Sequence, residues 1–160
     1  MKYAITGHTN GVGKAVYDSL LPNAVGFSRT NGYDIDDPAA RARIIAEVQD
    51  CDVFINCACP FKGNGQVDLF KELFAVWKDQ NKKIINVGSK LSEFRIPPGH
   101  PLKEYQLKKL ELKNLTSAAQ GSACQVSYKW FGYVATEKML ATHPGFSFIQ
   151  PAEAVAIILS

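Results

Sequence analysis

The stretch "YAITGHTNGVGKAV", residues 3–16, decides the fold of this chain. A short apolar run passes through three glycines, Gly7, Gly11 and Gly13, into residues that favour a helix. Glycine carries no Cβ, so a ligand can approach the backbone there and reach the free N–H groups at the helix N-terminus. The pattern therefore predicts a strand, a glycine-rich turn and a helix that together bind a phosphate-bearing ligand.

The spacing of the glycines disfavours two better-known phosphate loops. A nucleotide-hydrolysing P-loop needs G-x-x-x-x-G-K-[ST], but His8 stands five positions before Gly13, and Ala15 follows Lys14. The G-x-G-x-x-G pattern fails as well, because Val16 occupies the position of the third glycine. The pattern present is T-G-x-x-x-G-x-G, and a glycine-rich turn without a ligand remains the open alternative.

Length and composition restrict the class of protein. The 160 residues, 46% of them hydrophobic, predict one domain, residues 1–160, with a single core. The net charge of +3 is spread along the chain, which disfavours nucleic acid and favours a small molecule as partner. No apolar run approaches the roughly 20 residues of a membrane span and no signal peptide is evident, so we expect a cytoplasmic protein that binds no membrane. The four cysteines lack C-x-x-C spacing and predict reduced side chains with no metal site.

Short β-rich runs alternate with helical segments along the whole chain. The strand candidates are residues 2–6, 24–28, 51–57, 83–89 and 124–130, with a very short extra strand at Gly32 to Ile35. The helix candidates are residues 11–22, 38–49, 65–80, 101–120 and 151–159. This alternation predicts an α/β fold: a doubly wound parallel sheet of about six strands, ordered 3-2-1-4-5-6, with helices on both faces. Ligands then bind at the carboxyl ends of the strands.

Three side chains that could do chemistry converge on one strand end in this prediction. Ser89 follows the strand "KIINVG", and "YQLKK" places Tyr105 and Lys109 at i and i+4 on one face of the next helix. A lysine ammonium one turn away favours the phenolate, which predicts a lowered pKa for the Tyr105 hydroxyl. The alternative is a solvated helix face without a function.

In this order the motifs resemble those of the short-chain dehydrogenase/reductase family. The matching stretches are "TGHTNGVG" (6–13), "FSR" (27–29), "DI" (34–35), "INCA" (55–58), "IINVGS" (84–89), "YQLKK" (105–109) and "FGYVAT" (131–136). The resemblance implies a Rossmann-type fold and an oxidoreductase that reduces a carbonyl or oxidises an alcohol on a small molecule. It also implies that Tyr105 is the general acid/base, that Ser89 orients the substrate oxygen, and that Lys109 assists Tyr105 and bonds the nicotinamide ribose.

The family's fourth catalytic group is an asparagine on the helix before the serine strand. Asn64 is the candidate at that place, and a turn or helix cap is the alternative role for it. The chain departs from the family pattern where Cys57 and Cys59 replace an Asn and a Gly, and where Phe131 replaces a Pro. Neither departure removes a catalytic group.

The resemblance further implies a set of cofactor-binding residues. Apart from the end of the second strand, they are Gly7, Thr9, Asn10, Gly11, Val12, Gly13, Asn56, Cys57, Ala58, Lys109, Gly132, Val134 and Thr136. NAD-specific sites carry an acidic residue at the end of the second strand, and residues 26–33 contain none. Ser28 and Arg29 offer phosphate-binding donors there, so NADP(H) is preferred over NAD(H), with Asp34 as the adenine contact.

The same resemblance implies that the usual last strand and most of the substrate lid are absent, leaving Thr136 to Phe148 to cover the pocket. Loss of the lid keeps a second interpretation open, a non-catalytic dinucleotide-binding sensor or regulatory protein on the same fold. Apolar residues on two helices exceed what one buried stripe requires and favour a homodimer. These residues are Leu69, Phe70, Leu73, Phe74, Trp77, Leu107, Leu110 and Leu115.

Overall fold

The computed structural model describes all residues, 1–160. Its centre is one parallel sheet of five strands, β1 (Tyr3–Thr6), β2 (Ala24–Phe27), β3 (Val53–Asn56), β4 (Lys83–Val87) and β5 (Gln125–Lys129). The strand order β2-β1-β3-β4-β5 confirms the doubly wound prediction, with one strand fewer than the sequence suggested. Strand β2 lies on one side of β1, and β3, β4 and β5 follow on the other side. This switch point between β1 and β3 places a crevice at the carboxyl ends of those strands.

Six helices connect and cover the strands: α1 (Gly11–Leu20), α2 (Pro38–Glu47), α3 (Gly65–Trp77), α4 (Lys103–Ala118), α5 (Glu137–Thr142) and α6 (Pro151–Leu159). Five of them correspond to helices predicted from the sequence, with ends that agree within a few residues. Helix α1 stops short of its predicted end because Leu21 precedes Pro22 and takes extended backbone. Helix α5 has no counterpart in the prediction, since so short a helix shows no clear period.

Both faces of the sheet are covered by helices, as a parallel sheet requires. On one face, α2, α3 and α4 bury a cluster of 17 residues that includes Phe54 and Trp77. On the other face, α1 and α6 cover a smaller cluster that contains Ile5, Val16 and Ile158. The two clusters fix the positions of the strands, and the loops at their carboxyl ends form the candidate site.

The short strand predicted at Gly32 to Ile35 does not form, and that part of the prediction is wrong. The chain turns away from the sheet directly after β2. The side chain of Asn31 accepts a hydrogen bond from the Ser28 N–H at 2.8 Å and donates one to the Gly26 carbonyl at 2.9 Å. These bonds compete with strand pairing and curl the backbone into a short 3-10 turn. Asp34 consequently lies in a loop and not at the end of a third strand.

The segment after β5 folds back over the carboxyl edge of the sheet. Val134 pairs with Ile149, and the Ala135 N–H donates to the Ile149 carbonyl at 2.8 Å. These bonds tie together the two ends of a loop that contains α5, whose first turn is capped by the Thr136 hydroxyl. The residues predicted to cover the pocket, Thr136 to Phe148, lie within this tied loop.

Most of the apolar residues that favoured a homodimer belong to the core of the monomer. Leu69, Leu73 and Trp77 are fully buried and Phe70 is nearly so, whereas Leu107 on α4 is half exposed. The homodimer therefore stays a prediction, and it has less apolar surface available than the sequence suggested.

The remaining general features concern the cysteines and the helices. All four cysteines are free thiols. None of the helices combines the length and the apolar character needed to cross a lipid bilayer.

Candidate active site and cofactor cleft

The glycine-rich loop joins β1 to α1. Gly7 and Gly11 adopt left-handed backbone, with φ of +75° and +54°, which a side chain would strain. Gly13 meets a different requirement: a Cβ on it would lie 2.1 Å from the carbonyl oxygen of Gly7, so α1 packs directly against the loop. The loop consequently presents bare backbone at the N-terminus of a helix, where an anion is stabilised.

Two cavities open on opposite sides of this loop. A cleft of about 220 Å³, the polar cleft, is lined by Gly7, Thr9 and Asn10 from the first half of the loop. A larger pocket of about 600 Å³, the apolar pocket, is lined by Gly11 and Val12 from the second half. The glycine-rich loop is thus the wall that the two cavities share, and a ligand that crosses the loop reaches both.

The polar cleft carries hydrogen-bonding groups at the end of β2. Ser28, Arg29 and Thr30 line one wall, and Asp34 lies beside them. Arg29 is exposed and takes part in none of the ion pairs of the structure. Ala58, which follows β3, also lines the cleft. The cleft therefore offers an unpaired guanidinium and a hydroxyl group to a ligand, beside the carboxylates of Asp34 and Asp36.

The loop after β5 faces the glycine-rich loop across the apolar pocket. Gly132, Val134 and Thr136 all line this pocket. The Thr136 methyl group lies 3.8 Å from the place that a Cβ on Gly11 would occupy. The two loops therefore approach each other closely where the apolar pocket meets the glycine-rich loop.

The structure brings Ser89 and Tyr105 to the same apolar pocket. Ser89 follows β4, and its Oγ accepts a hydrogen bond from the Leu91 N–H at 3.2 Å. Its own N–H donates to the hydroxyl oxygen of Tyr128 at 3.3 Å. Tyr105 lies in the first turn of α4. The hydrogen bond from Leu91 uses only an oxygen lone pair, so the Ser89 proton stays available to the Tyr105 oxygen or to a ligand.

The hydroxyl of Tyr105 is in a desolvated position. Burial raises the pKa of Tyr105 above its ordinary value, and the nearby Cys59 sulfur acts in the same direction. A hydrogen bond with Ser89 lowers the pKa but does not outweigh burial. The predicted lowering of this pKa is wrong, because burial outweighs any attraction to the Lys109 ammonium, which lies 5.5 Å from the centre of the Tyr105 ring and donates its hydrogen bonds to two other groups. Tyr105 is therefore a protonated phenol at neutral pH.

Lys109 lies next to Tyr105 with only 2% of its surface exposed. Its Nζ donates to Gln66 Oε1 at 2.8 Å and to the Val87 carbonyl oxygen at 2.9 Å. An ammonium group has three N–H donors, so one donor remains for another partner. A buried charge needs such acceptors, and Gln66 and Val87 hold this one in a fixed position.

Gln66 is a residue of the site that the sequence analysis missed. Its Nε2 donates to the Asn56 carbonyl at 2.8 Å and to the Val87 carbonyl at 3.0 Å, which turns its Oε1 toward Lys109. A signal for it existed in the sequence: Gln66 lies seven residues before Leu73 and so shares the buried face of α3. A polar side chain on an otherwise apolar helix face indicates a buried partner.

Asn64, predicted as the fourth catalytic residue, occupies a different place. It stands at the N-cap of α3, and its side chain donates weakly to Asp68 at 3.5 Å. Asn64 lines neither the polar cleft nor the apolar pocket. The structure places Gln66, two residues later, in contact with the lysine instead.

Four of the predicted cofactor contacts do not line either cavity. The residues that line neither cavity are Gly13, Asn56, Cys57 and Lys109. Asn56 is fully buried, and its side chain donates to the Gln66 carbonyl and to Asn86 Oδ1, each at 3.0 Å. Burial raises the pKa of Cys57 to about 11, which keeps its thiol protonated. These residues support the site, and the remaining predicted contacts form the cavity walls.

No protein-family model matches the chain, and no curated protein matches it. Its structure is similar to several solved ones. A short chain dehydrogenase from Burkholderia cenocepacia in complex with NADP has a TM-score of 0.77 and 20% identity, over 99% of this chain and 84% of that chain. A serine dehydrogenase complexed with NADP+ has a TM-score of 0.73 and 18% identity, over 99% and 88% of the two chains.

A small-chain dehydrogenase in complex with NADPH is similar to the same degree, with a TM-score of 0.73 and 14% identity over 99% of this chain and 89% of that chain. At such low identities the similarity establishes the fold. The architecture described above, a parallel sheet covered by helices on both faces, is similar to that of these structures. The chain therefore has the fold of the short-chain dehydrogenases.

Proposed function

We propose that the protein is an NADP(H)-dependent oxidoreductase that reduces a carbonyl group, or oxidises an alcohol, on a small molecule. One observation carries the proposal: Ser89 and Tyr105 line the same pocket as Gly11 and Val12 of the glycine-rich loop. A phosphate-binding loop and two hydroxyl groups on one pocket bring a dinucleotide and a substrate oxygen together. Lys109, buried next to Tyr105, completes the set.

The residues present fit a nicotinamide dinucleotide. A Cβ on Gly13 would meet the Gly7 carbonyl, so the loop and helix are built for close backbone approach. The polar cleft would hold the adenosine half and the apolar pocket the nicotinamide half, on either side of the shared loop. When bound, the cofactor supplies or accepts the hydride at the substrate carbon.

Ser89 and Tyr105 would have different roles at the substrate oxygen. The Ser89 hydroxyl donates a hydrogen bond to the carbonyl oxygen and holds it in place. Tyr105 then donates its proton to that oxygen as negative charge develops there, and the alcohol is formed. The raised pKa keeps Tyr105 protonated at neutral pH, so it begins the reduction as an acid.

Lys109 would act on the charge that this transfer leaves behind. The phenolate of Tyr105 forms near a buried ammonium, which stabilises it by electrostatic attraction. Gln66 and Val87 fix the ammonium through two hydrogen bonds. Lys109 does not line the pocket itself, but its third N–H has no protein acceptor and would donate to the nicotinamide ribose. Lys109 would thus support the proton transfer and the binding of the cofactor.

A preference for NADP(H) over NAD(H) rests on the end of β2. Arg29 is exposed on the polar cleft and has no carboxylate partner, so its planar fork is available to a 2′-phosphate. Ser28 and Thr30 line the same cleft; the Thr30 hydroxyl would add a donor, and the Ser28 hydroxyl would exchange its long bond to Asn31 Oδ1, at 3.4 Å, for one to the phosphate. Asp34 lies further along the cleft, where it would accept from the adenine amino group.

Assembly and location extend this proposal. A homodimer and a cytoplasmic location are consistent with the half-exposed Leu107 on α4 and with the composition of the chain. Light scattering at micromolar concentration tests the assembly: a mass of twice 17.6 kDa supports the dimer, and a monomer contradicts it.

The variant Tyr105→Phe tests the proposed reaction. It removes the proton donor and leaves the ring, so turnover with any accepted carbonyl substrate should fall by about 10²-fold to 10⁴-fold while NADPH affinity is kept. Tyr133→Phe is the matched control, since it removes a hydroxyl from the same pocket. Turnover retained in Tyr105→Phe contradicts the assignment, and a binding protein without activity would show no turnover in the unmodified chain either.

A further inference from the structure

We propose that the substrate is an apolar carbonyl compound about as large as a substituted single ring, or the corresponding alcohol. We also propose that it carries no cationic group. The inference rests on the proposed function and deepens it, because it concerns what the apolar pocket admits beside Ser89 and Tyr105. The volume of about 600 Å³ falls within the range of small-molecule sites and leaves room for more than the nicotinamide end of a cofactor.

The wall of the pocket is made of large apolar side chains. Ten of the 17 lining residues are hydrophobic, and apart from two tyrosines and two valines they are Phe61, Leu91, Phe94, Leu102, Phe131 and Met139. They come from four separate parts of the chain: the loop after β3, the 3-10 turn after Ser89, the start of α4 and the loop around α5. Convergence of such residues on one cavity favours an apolar ligand.

The most exposed phenylalanines lie around this pocket. Three of the nine phenylalanines, Phe61, Phe94 and Phe146, have more than half of their surface exposed. Phe61 and Phe94 line the pocket, and the Phe146 ring contacts the pocket residue Tyr133 at a centroid distance of 5.2 Å. Aromatic side chains that are exposed to solvent around one cavity indicate a ligand-binding surface, because a bound apolar ligand would bury them.

The charges at the pocket have one sign. No aspartate or glutamate is among the lining residues, and the basic groups there are Lys90 and His143. Lys90 directly follows Ser89, is exposed and belongs to no ion pair. A substrate with an ammonium group would lose its water without gaining a carboxylate partner, whereas a neutral or anionic substrate meets no such penalty.

Polar groups that could select a sugar-like substrate are few. The hydroxyls of Ser89 and Tyr105 are engaged by the reacting oxygen, which leaves Lys90, Tyr133, Thr136 and His143 as the other polar side chains of the pocket. A polyhydroxylated compound would leave its remaining hydroxyl groups against Leu91, Phe94 and Leu102 without partners. Hydroxyl groups buried in that way weaken binding.

A homologous series of 4-alkylacetophenones tests the inference through binding. Dissociation constants are measured by ligand-observed NMR, with and without NADP+, so the readout does not depend on turnover. We expect affinity to rise about threefold to fourfold for each added methylene group until the pocket is filled. A 4-aminomethyl compound, which is cationic, should bind at least about tenfold more weakly than the ethyl compound, and a 4-carboxy compound should not show this loss.

Substitutions at two exposed positions test where the ligand binds without destabilising the folded protein. Phe61→Ser and Phe94→Ser replace rings that are 64% and 53% exposed, and each should weaken binding of the longer alkyl compounds severalfold. Leu140→Ser is the matched control: Leu140 is 51% exposed, follows the pocket residue Met139 on α5 and does not line the pocket. Its effect should be negligible.

The outcomes separate this inference from the proposed function. Affinity that rises with alkyl length and falls in Phe94→Ser, but without hydride transfer, supports the substrate class and contradicts the oxidoreductase. Turnover of dihydroxyacetone or other polyhydroxylated carbonyls, with no dependence on alkyl length in the acetophenones, supports the oxidoreductase and overturns the substrate class. Equal binding of the cationic and neutral acetophenones also overturns it.

Discussion

The two cavities on either side of the glycine-rich loop differ in size, in charge and in the parts of the chain that build them. The polar cleft of about 220 Å³ combines Arg29 with the carboxylates of Asp34 and Asp36. The apolar pocket of about 600 Å³ has no acidic residue and presents the hydroxyls of Ser89 and Tyr105 among aromatic rings. Charge and hydrogen bonding define the ligand on one side, and apolar burial with two hydroxyls defines it on the other.

The comparison shows how one loop can serve two kinds of recognition. The backbone of the loop is common to both cavities, so its glycines affect both sides at once. The side chains that distinguish the cavities come from loops that follow other strands and can change independently. Variants of the loop should therefore affect both cavities, and variants of the outer walls only one.

The largest effect is expected from Gly13→Ala. The new methyl group would lie 2.1 Å from the Gly7 carbonyl oxygen, so either α1 or the loop must shift. We expect a loss of about 3 kcal/mol in the free energy of unfolding, measured with urea, together with loss of NADPH binding. Gly132→Ala is the control, because the nearest atom to its new Cβ, Lys90 Cδ, is 3.7 Å away. Equal behaviour of the two variants would contradict the role given to Gly13.

Arg29→Ala should change the polar cleft alone. Loss of a charge-assisted hydrogen-bond set costs about 1–3 kcal/mol, which corresponds to an increase of about fivefold to 150-fold in the dissociation constant for NADPH. NADH binding should stay nearly unchanged, because its ribose has no 2′-phosphate. Fluorescence titration with both cofactors gives the comparison, and Arg95→Ala, an exposed arginine outside both cavities, is the control. The NADP preference is wrong if Arg29→Ala weakens both cofactors alike.

Gln66→Met tests whether the buried hydrogen bonds of Gln66 hold the residues next to the apolar pocket in place. It keeps the size of the side chain but removes an acceptor from Lys109 and a donor from the Asn56 and Val87 carbonyls. We expect a loss of about 1–3 kcal/mol in the free energy of unfolding and a lower kcat.

Asn64→Ala is the comparison for that variant. Its side chain makes one long hydrogen bond, to Asp68, so stability should change by less than about 0.5 kcal/mol. If Asn64→Ala lowers kcat more than Gln66→Met does, then Asn64 supports the reaction as the sequence predicted, and the assignment of that role to Gln66 is refuted.

The smallest effect is the expected pH dependence of carbonyl reduction. A proton donor works below its own pKa, and burial raises the pKa of Tyr105 above the ordinary value near 10. Reduction should therefore stay nearly constant between about pH 6 and pH 9, whereas alcohol oxidation, which needs the phenolate, should rise with pH. A reduction rate that falls with an apparent pKa near 7 would show that another group donates the proton. Initial rates in both directions, at saturating cofactor, provide the measurement.

The sheet could be predicted from the sequence because its signals are local. Each buried strand is a short run of apolar residues, and the glycine-rich turn separates β1 from α1. The predicted strand at Gly32 to Ile35 failed because side-chain bonds of Asn31 turn the backbone at Ser28. Composition indicates that a turn is present there, but it does not indicate whether the chain rejoins the sheet afterwards.

The site could be predicted only in part, for a related reason. Ser89 and Tyr105 meet because a strand end and a helix face are fixed by periodicity. The choice between Asn64 and Gln66 depends on a difference of two residues at the start of α3, which turns one side chain outward and the other into the core. The pKa of Tyr105 depends on burial by neighbours far apart in the sequence, so spacing alone gave the wrong direction.

The most direct test of the account is competition by half of the proposed cofactor. Adenosine 2′,5′-bisphosphate carries the half of the cofactor assigned to the polar cleft and lacks the nicotinamide end, so it should displace NADPH without displacing 4-butylacetophenone from the apolar pocket. It should also bind at least about tenfold more tightly than adenosine 5′-monophosphate, through the 2′-phosphate and Arg29. Displacement of the acetophenone by the bisphosphate, or equal affinity of the two nucleotides, would contradict a dinucleotide that spans the two cavities with its phosphate on Arg29.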